Sequence, residues 1–537
     1  MSASNKKKLR KEQEAAKLTE KQLTAQKEAK KTNLYTTLFV TLMAVILVVA
    51  IVIGINQTIV SSGVRENKVT ALTVGDHKLS NAQLNYFFVD SVSNFMSQYG
   101  SYASMFGLDT AKPLDQQYLD EEAGLTWADD FLNSAKENAR AVYAVCDQAE
   151  AEGFTLSEED QFSVTSTVSN INAYAMLYGF SDGESYLKAM YGNGARMDDF
   201  EKYVEMTTIY NAYQQHYSDN LTYDAAALEA ADSEDYDAYS YNTYYIGTSQ
   251  FLEDSANATD EEKAASVTKA EDIAKSLVGE GSTTAEDFDA AIAALDINKD
   301  TDAASSSHAG TLVPSISSVY ASWVTDAARK EGDMSYFAST TTNVDEDDNE
   351  YTTTNGYTVV CYMGKDDNNI QLKNVRHILI PFEGGTTDET TGETTYTAEE
   401  KAAAKTEAEA VLAEFQAGDA TEEAFATMVP DYSTDTGSLE NGGLYENVYP
   451  GQMVESFENW CYDESRKPGD TGIVESAYGY HIMYFVGNSD LTYRNYLIEN
   501  DLRNADVDSW YTSLVDSVTI TEGNTKYINK SLVISIS

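Results

Sequence analysis

Cysteine is scarce: Cys146, Cys361 and Cys461 are the only three in 537 residues, too few and too widely spaced for a disulfide scaffold or a cysteine-based zinc site. One disulfide remains open, but each cysteine sits in an apolar, element-like context and reads as a buried thiol. Histidine is nearly as rare, and His77, His216, His308, His377 and His481 show no HExxH or paired spacing, which disfavours a metal enzyme. No glycine-rich phosphate loop is present, since Gly192 and Gly194 of YGNGAR read as a turn. Positive charge is the third shortage: 36 Lys and Arg face 87 Asp and Glu, for a net charge of −51. Residues 1–31 hold ten Lys/Arg against four Glu, a net +6, so the rest of the chain carries −57. A body of that sign repels phosphates, which excludes nucleic acid as a partner, and its charge serves solubility.

Between Thr32 and Val64 there is no charge at all. LFVTLMAVILVVAIVIGI, Leu38 to Ile55, together with Leu34 to Thr37 reaches the ~20 residues that a helix needs to cross a bilayer. Residues 34–56 are therefore expected to form a transmembrane signal anchor, with the basic tail 1–33 cytoplasmic and the bulk of the chain extracytoplasmic. A cleaved signal peptide is the alternative, with Ser61-Ser62-Gly63 as its cleavage region, although the apolar run is long for that role. No cysteine closely follows the run, which argues against a lipid-modified N-terminus.

The length allows roughly three domains at about 150 residues each. KVTALTVGDHKLS alternates like a strand with a turn at Gly75-Asp76, and long helical patterns follow. One of these, WADDFLNSAKENARAVYAVCDQAEAEG, ends on a glycine cap, and another, SEEDQFSVTSTVSNINAYAMLYG, opens on serine with acids in its first turn. Residues 66–230 thus read as a mostly helical domain whose Tyr- and Phe-rich apolar positions form core or line a groove for unfolded segments. From Tyr236 the order becomes strand, helix, helix, loop, strand, and from Leu372 that order repeats. The Thr-rich stretches Thr340 to Thr354 and Gly384 to Thr395 read as exposed hairpins or loops, and Leu491 to Val518 as an amphipathic helix that packs back on the first domain.

The repetition is close. GYHIMYFVG (Gly479 to Gly487) answers GYTVVCYMG (Gly356 to Gly364), and FENWCYDESRKPGD (Phe457 to Asp470) answers YASWVTDAARKEGD (Tyr320 to Asp333). Two copies of one module are implied, at 236–365 and 372–488. The second carries His377 and His481 where the first has Thr243 and Thr358, so the fold alone does not demand the histidines. The fold class is accordingly α+β: a transmembrane helix, a mostly helical domain, two tandem α/β modules and a C-terminal helix with its tail over 491–537.

VRHILI, YSTD with NGG, GQMVESFENW and SAYGYHIMYFV occur in that order and resemble a parvulin-type peptidyl-prolyl isomerase; the helical domain and anchor extend the likeness to extracytoplasmic foldases of the PrsA and SurA type. The resemblance implies catalytic roles for His377, Asp435 and His481, with Thr436 as an alternative alignment to Asp435, and proline-holding roles for Met453 and Phe457. It implies no cofactor and no metal, and it names proline-containing unfolded or newly secreted polypeptides as partners. Met453 and Phe457 have the i, i+4 spacing of one helical face. Two departures stand out. The family's Gly-Gly-Asp-Leu-Gly reads Gly442-Gly443-Leu444-Tyr445-Glu446, and the loop after Pro381 is acidic, which disfavours phosphorylated substrates. The first module, with both histidines missing and His308 in its loop at neither aligned position, reads as a degenerate copy used for spacing or for binding chains.

Overall fold

The computed structural model describes residues 7–8, 63–280, 284–344, 348–388 and 391–534. The expected membrane anchor at 34–56 lies outside these residues; among the described ones no helix is long and apolar enough to cross a membrane. The chain forms two compact units, one built from the N-terminal part to Thr222 together with Leu502 onward, the other from Tyr223–Asp501.

The first unit starts with α1 (Val64–Lys68), β1 (Thr70–Val74) and β2 (His77–Ser80) and continues into α2 (Asn81–Tyr99). A small hairpin, β3 (Tyr118–Asp120) and β4 (Leu125–Thr126), leads to α3 (Trp127–Glu152), α4 (Glu158–Leu177), α5 (Gly183–Tyr191) and α6 (Met197–Asn220). Helix starts follow side-chain chemistry: Ser80, Thr126 and Ser157 each close a capping box, with Gln83, Asp129 and Asp160 respectively. The expected glycine stop of α3 is Gly153 at φ 73°, a left-handed conformation that glycine adopts without strain. Tyr86, Phe88, Trp127, Phe131 and Tyr186 are buried in the core of this unit, so its aromatic richness is largely core.

The second unit opens with α7 (Ala225–Ala231) and the first module: β5 (Ala238–Gly247), α8 (Asp260–Glu280), α9 (Ala285–Ala293), β6 (Ser306–Leu312), α10 (Ala321–Val324), β7 (Met334–Val344) and β8 (Glu350–Asp366). The second module follows as β9 (Gln371–Pro381), the hairpin β10 (Thr386–Thr387) and β11 (Thr394–Thr395), α11 (Ala398–Gln416), α12 (Glu422–Tyr432), β12 (Leu444–Val448), α13 (Glu455–Cys461), β13 (Thr471–Ser476) and β14 (Gly479–Thr492). The two four-stranded sheets have orders β6-β5-β8-β7 and β12-β9-β14-β13, the same topology with each strand in its repeat position. Register agrees as well: Thr243 pairs with Val360 as His377 pairs with Met483, and Tyr245 with Thr358 as Leu379 with His481. The Thr-rich stretch of the first module is an extension of the β7–β8 hairpin, paired out to Val344 and Glu350.

The chain leaves through α14 (Tyr493–Ser517), and the expected tail then adds β15 (Ile520–Glu522), which pairs antiparallel with β1 in the first unit. Ile528, Leu532 and Ile534 join that unit's core, and the Glu522 carboxylate meets the buried Lys136 ammonium at 2.6 Å. All three cysteines are free thiols, and burial pushes them up, Cys146 and Cys461 to about 12 and Cys361 to about 11.

Candidate active site

Strand alternation sorts the second module's sheet into two faces. Ile378, Ile380, Ile482 and Tyr484 pack with α11 and α12 residues such as Phe415 and Phe425, while Val375, Met483 and Phe485 pack with Phe457 and Trp460 of α13. His377 and His481 have the parity of the second face. They stand on adjacent strands two residues out of register, the diagonal relation that lets long side chains touch. Their rings stack at 5.3 Å and 22°, with Nδ1 to Nδ1 at 3.1 Å, and they are 3 % and 5 % exposed.

Asp435 comes to this pair from the loop after α12. Its Oδ2 accepts from His377 Nε2 at 2.8 Å, from the Ser438 hydroxyl at 2.6 Å and from the Tyr445 hydroxyl at 3.0 Å. At the other end, Ser476 Oγ lies 2.7 Å from His481 Nε2. With both rings neutral, one chain of donors satisfies every partner: Ser476 donates to His481 Nε2, His481 Nδ1–H to His377 Nδ1, and His377 Nε2–H to Asp435. Burial, then the neighbouring His377, lowers the His481 pKa to about 4, so this ring is neutral at neutral pH. Burial would raise the Asp435 carboxyl, but its hydrogen bonds outweigh that effect and hold it well below the usual carboxylate range. Burial and the adjacent carboxylate push the Tyr445 phenol up to about 12.

Phe457 closes the floor. It is buried, and its ring stands nearly perpendicular to both imidazoles, at 83° and 86° with centroids 5.4 Å away in each case. Met453 packs against the same cluster, but not from the helix that the i, i+4 spacing suggests. Helix α13 begins only at Glu455, because Gly451 turns at φ 83° and Val454 is extended as the N-cap; Met453 reaches the cluster from the preceding turn. Two glycines shape the other border. Gly442 and Gly443 have φ 68° and 76°, and a Cβ on Gly443 would lie 2.4 Å from the His377 carbonyl oxygen. That close approach seats β12 on β9 and brings Tyr445 opposite Val375. Arg376 secures the loop by donating to the Asn441 and Gly442 carbonyls at 2.7 and 2.9 Å while pairing with Glu422.

The structure therefore brings His377, Asp435, His481 and Phe457 into contact and sets Met453 beside them; Asp435, not Thr436, meets His377. Sequence reasoning missed Ser438, Tyr445 and Ser476. The one signal for Tyr445 was the departure from the glycine-rich motif. In the first module Thr243 and Thr358 hold the histidine positions, and Tyr241, Ile316, Tyr320 and Val360 make a comparable apolar face. His308, expected in a loop, lies on β6 opposite Tyr241, with Nε2 2.9 Å from Thr243 Oγ1.

The family model of the PPIC-type PPIASE domain matches residues 357–488, which takes in β8 from Tyr357 on and the second module as far as Asn488 in β14. Among curated relatives, Foldase protein PrsA 1 of Listeria innocua is 40% identical over 82 residues, 15% of this chain and 28% of the relative. Foldase protein PrsA 3 of Bacillus cereus is 39% identical over 70 residues, 13% and 24% of the two chains. The chain thus spans less than a third of the length of these relatives. Among solved structures, PrsA from Bacillus subtilis aligns over 73% of this chain and 87% of its own at 12% identity and a TM-score of 0.25. The peptidylprolyl isomerase PrsA from Bacillus anthracis aligns over 28% and 59% at 22% identity and a TM-score of 0.18. In the module that holds the paired histidines, this chain is similar to a parvulin-type isomerase domain of the PrsA foldases.

Proposed function

We propose that the chain is a membrane-anchored, extracytoplasmic foldase whose second module catalyses cis-trans isomerisation of X-Pro bonds in newly secreted polypeptides. The observation that carries this reading is the buried imidazole pair, tied to an anionic Asp435 at one end and faced by the Phe457 ring. Rotation about an X-Pro bond must overcome ~18–20 kcal/mol of amide resonance but breaks no covalent bond. A site needs only to bind the twisted amide better than the planar one. Phe457 and Met453 offer apolar surface for the pyrrolidine ring, and the ordered His481, His377 and Asp435 chain fixes dipoles beside the amide without reorganising as it twists. No cofactor enters this chemistry. The uncharged run at 34–56 behind a basic tail supports the anchored, outward orientation.

A second reading, a non-catalytic chaperone with both modules as docking surfaces, draws on the first module, which keeps its apolar face with threonines at the histidine positions. The test is protease-free X-Pro isomerisation by the full chain, wild type against the His377→Thr, His481→Thr double variant, with client aggregation measured alongside. Loss of isomerisation with protection from aggregation retained assigns the two activities to different parts. A double variant that isomerises at the wild-type rate refutes the enzymatic reading.

A further inference from the structure

Three donors converge on a single oxygen of Asp435, and they differ in what they are attached to. Ser438 is three residues along the same loop. Tyr445 belongs to the sheet: it stands on β12 opposite Val375, its ring centroid is 5.3 Å from that of His377, and its hydroxyl reaches Asp435 Oδ2 at 3.0 Å. It ties the loop carrying the carboxylate to the strand floor carrying the imidazoles. Among the described residues the second carboxylate oxygen accepts only the Gly437 amide, at 3.3 Å, so the orientation of the group rests on the Oδ2 side.

The repeat supplies a comparison within the chain. The first module has His308 opposite Tyr241, the position that Tyr445 holds opposite Val375, and His308 also turns a polar atom onto the floor, 2.9 Å from Thr243 Oγ1. A polar ring at this edge-strand position occurs in both copies, whereas the imidazole pair occurs in one.

Building on the isomerase reading, we propose that Tyr445 is a positioning residue of that site: its hydroxyl pins the Asp435 carboxylate against His377 Nε2 and so fixes the tautomers of both imidazoles. The groups that face Asp435 are His377 from β9, with His481 behind it on β14, Tyr445 from β12, and the Ser438 hydroxyl and Gly437 amide of its own loop. Burial disfavours the Asp435 anion, whereas the hydrogen bonds from His377 and Ser438, the electrostatic interaction with His377 and the Tyr445 hydroxyl favour it, so each lost donor loosens both its charge and its orientation.

The experiment uses the full chain with ¹⁵N-labelled histidine, of which there are five residues, as wild type, Tyr445→Phe and Tyr445→Leu. Tyr445→Phe keeps the ring and removes only the hydroxyl. It is expected to lower kcat about tenfold, the order of effect of one hydrogen bond to a charged group, with KM within about twofold. The acid limb of kcat/KM moves to higher pH, and the His377 and His481 nitrogen signals change from fixed tautomers to exchange averages. Wild-type kcat, acid limb and imidazole signals in Tyr445→Phe overturn the proposal, and so does a defect seen only in Tyr445→Leu, which assigns the residue to packing. If the wild type does not isomerise X-Pro bonds, the isomerase reading falls; the imidazole signals of Tyr445→Phe then decide the positioning role alone, averaged tautomers sustaining it and unchanged ones overturning it.

Discussion

Acidification from pH 7 to 4.5 is expected to destabilise the second module through His481. Its pKa falls from 6.5 to about 4 on folding, mainly because burial penalises the charged ring. A group with a depressed folded pKa takes up its proton more readily in the unfolded state, so this stability is complete above 6.5 and lost as pH falls toward 4. Proton linkage over that window gives a loss of roughly 2 kcal/mol at pH 4.5 relative to pH 7. Asp435 has the opposite profile of causes and a separate window: its depressed carboxyl contributes stability that fades only below its ordinary value of 3.8. Hydrogen exchange of β9 and β14 peptides in the full chain, corrected for intrinsic rates, reads the module by itself. Protection there is expected to fall by some tens-fold in the wild type between the two pH values, the ratio that roughly 2 kcal/mol corresponds to. In His481→Asn, which keeps a donor toward His377 Nδ1, most of that fall disappears. An equal fall in the variant, or none in the wild type, refutes the assignment of a buried neutral imidazole.

Two further outcomes test the framework around the site. Gly443→Ala places a Cβ 2.4 Å from the His377 carbonyl oxygen at φ 76°, and it is expected to cost about 2 kcal/mol or more and to raise exchange across residues 434–448. Ending the chain after Ser517 removes β15 with Ile528, Leu532 and Ile534 and strands the buried Lys136 without Glu522. Thermal unfolding of the first unit is then expected to lose several kcal/mol, while protection of β9 and β14 stays unchanged.

The parts of the fold legible in sequence were those with local periodicity or a repeat to compare. Ser157 and Gly153 marked helix ends by chemistry that acts within one turn. The paired segments aligned His377 with Thr243 and His481 with Thr358, and both sheets hold those residues in equivalent register. Features that depend on distant pairing were not legible. Strand β15 is three residues long and its partner β1 lies at the opposite end of the chain, so no local pattern announces it. Met453 and Phe457 matched a helical face, but spacing does not register that Val454 is extended and starts the helix late. Tyr445 reached Asp435 through the left-handed Gly442-Gly443 turn and the β12–β9 register, so from sequence it showed only as a departure from a motif. His308 was read as loop because its strand, SSHAGTL, is largely exposed and lacks the apolar alternation of a half-buried strand.

The most direct measurement is the X-Pro isomerisation rate of the full chain beside that of the chain carrying His377→Thr and His481→Thr, which gives the second module the floor residues of the first. If the imidazole pair makes the second module the working copy, the wild type accelerates isomerisation and the double variant loses at least about a hundredfold in kcat/KM, roughly 2.7 kcal/mol of transition-state stabilisation. A folded double variant that matches the wild type would contradict that assignment.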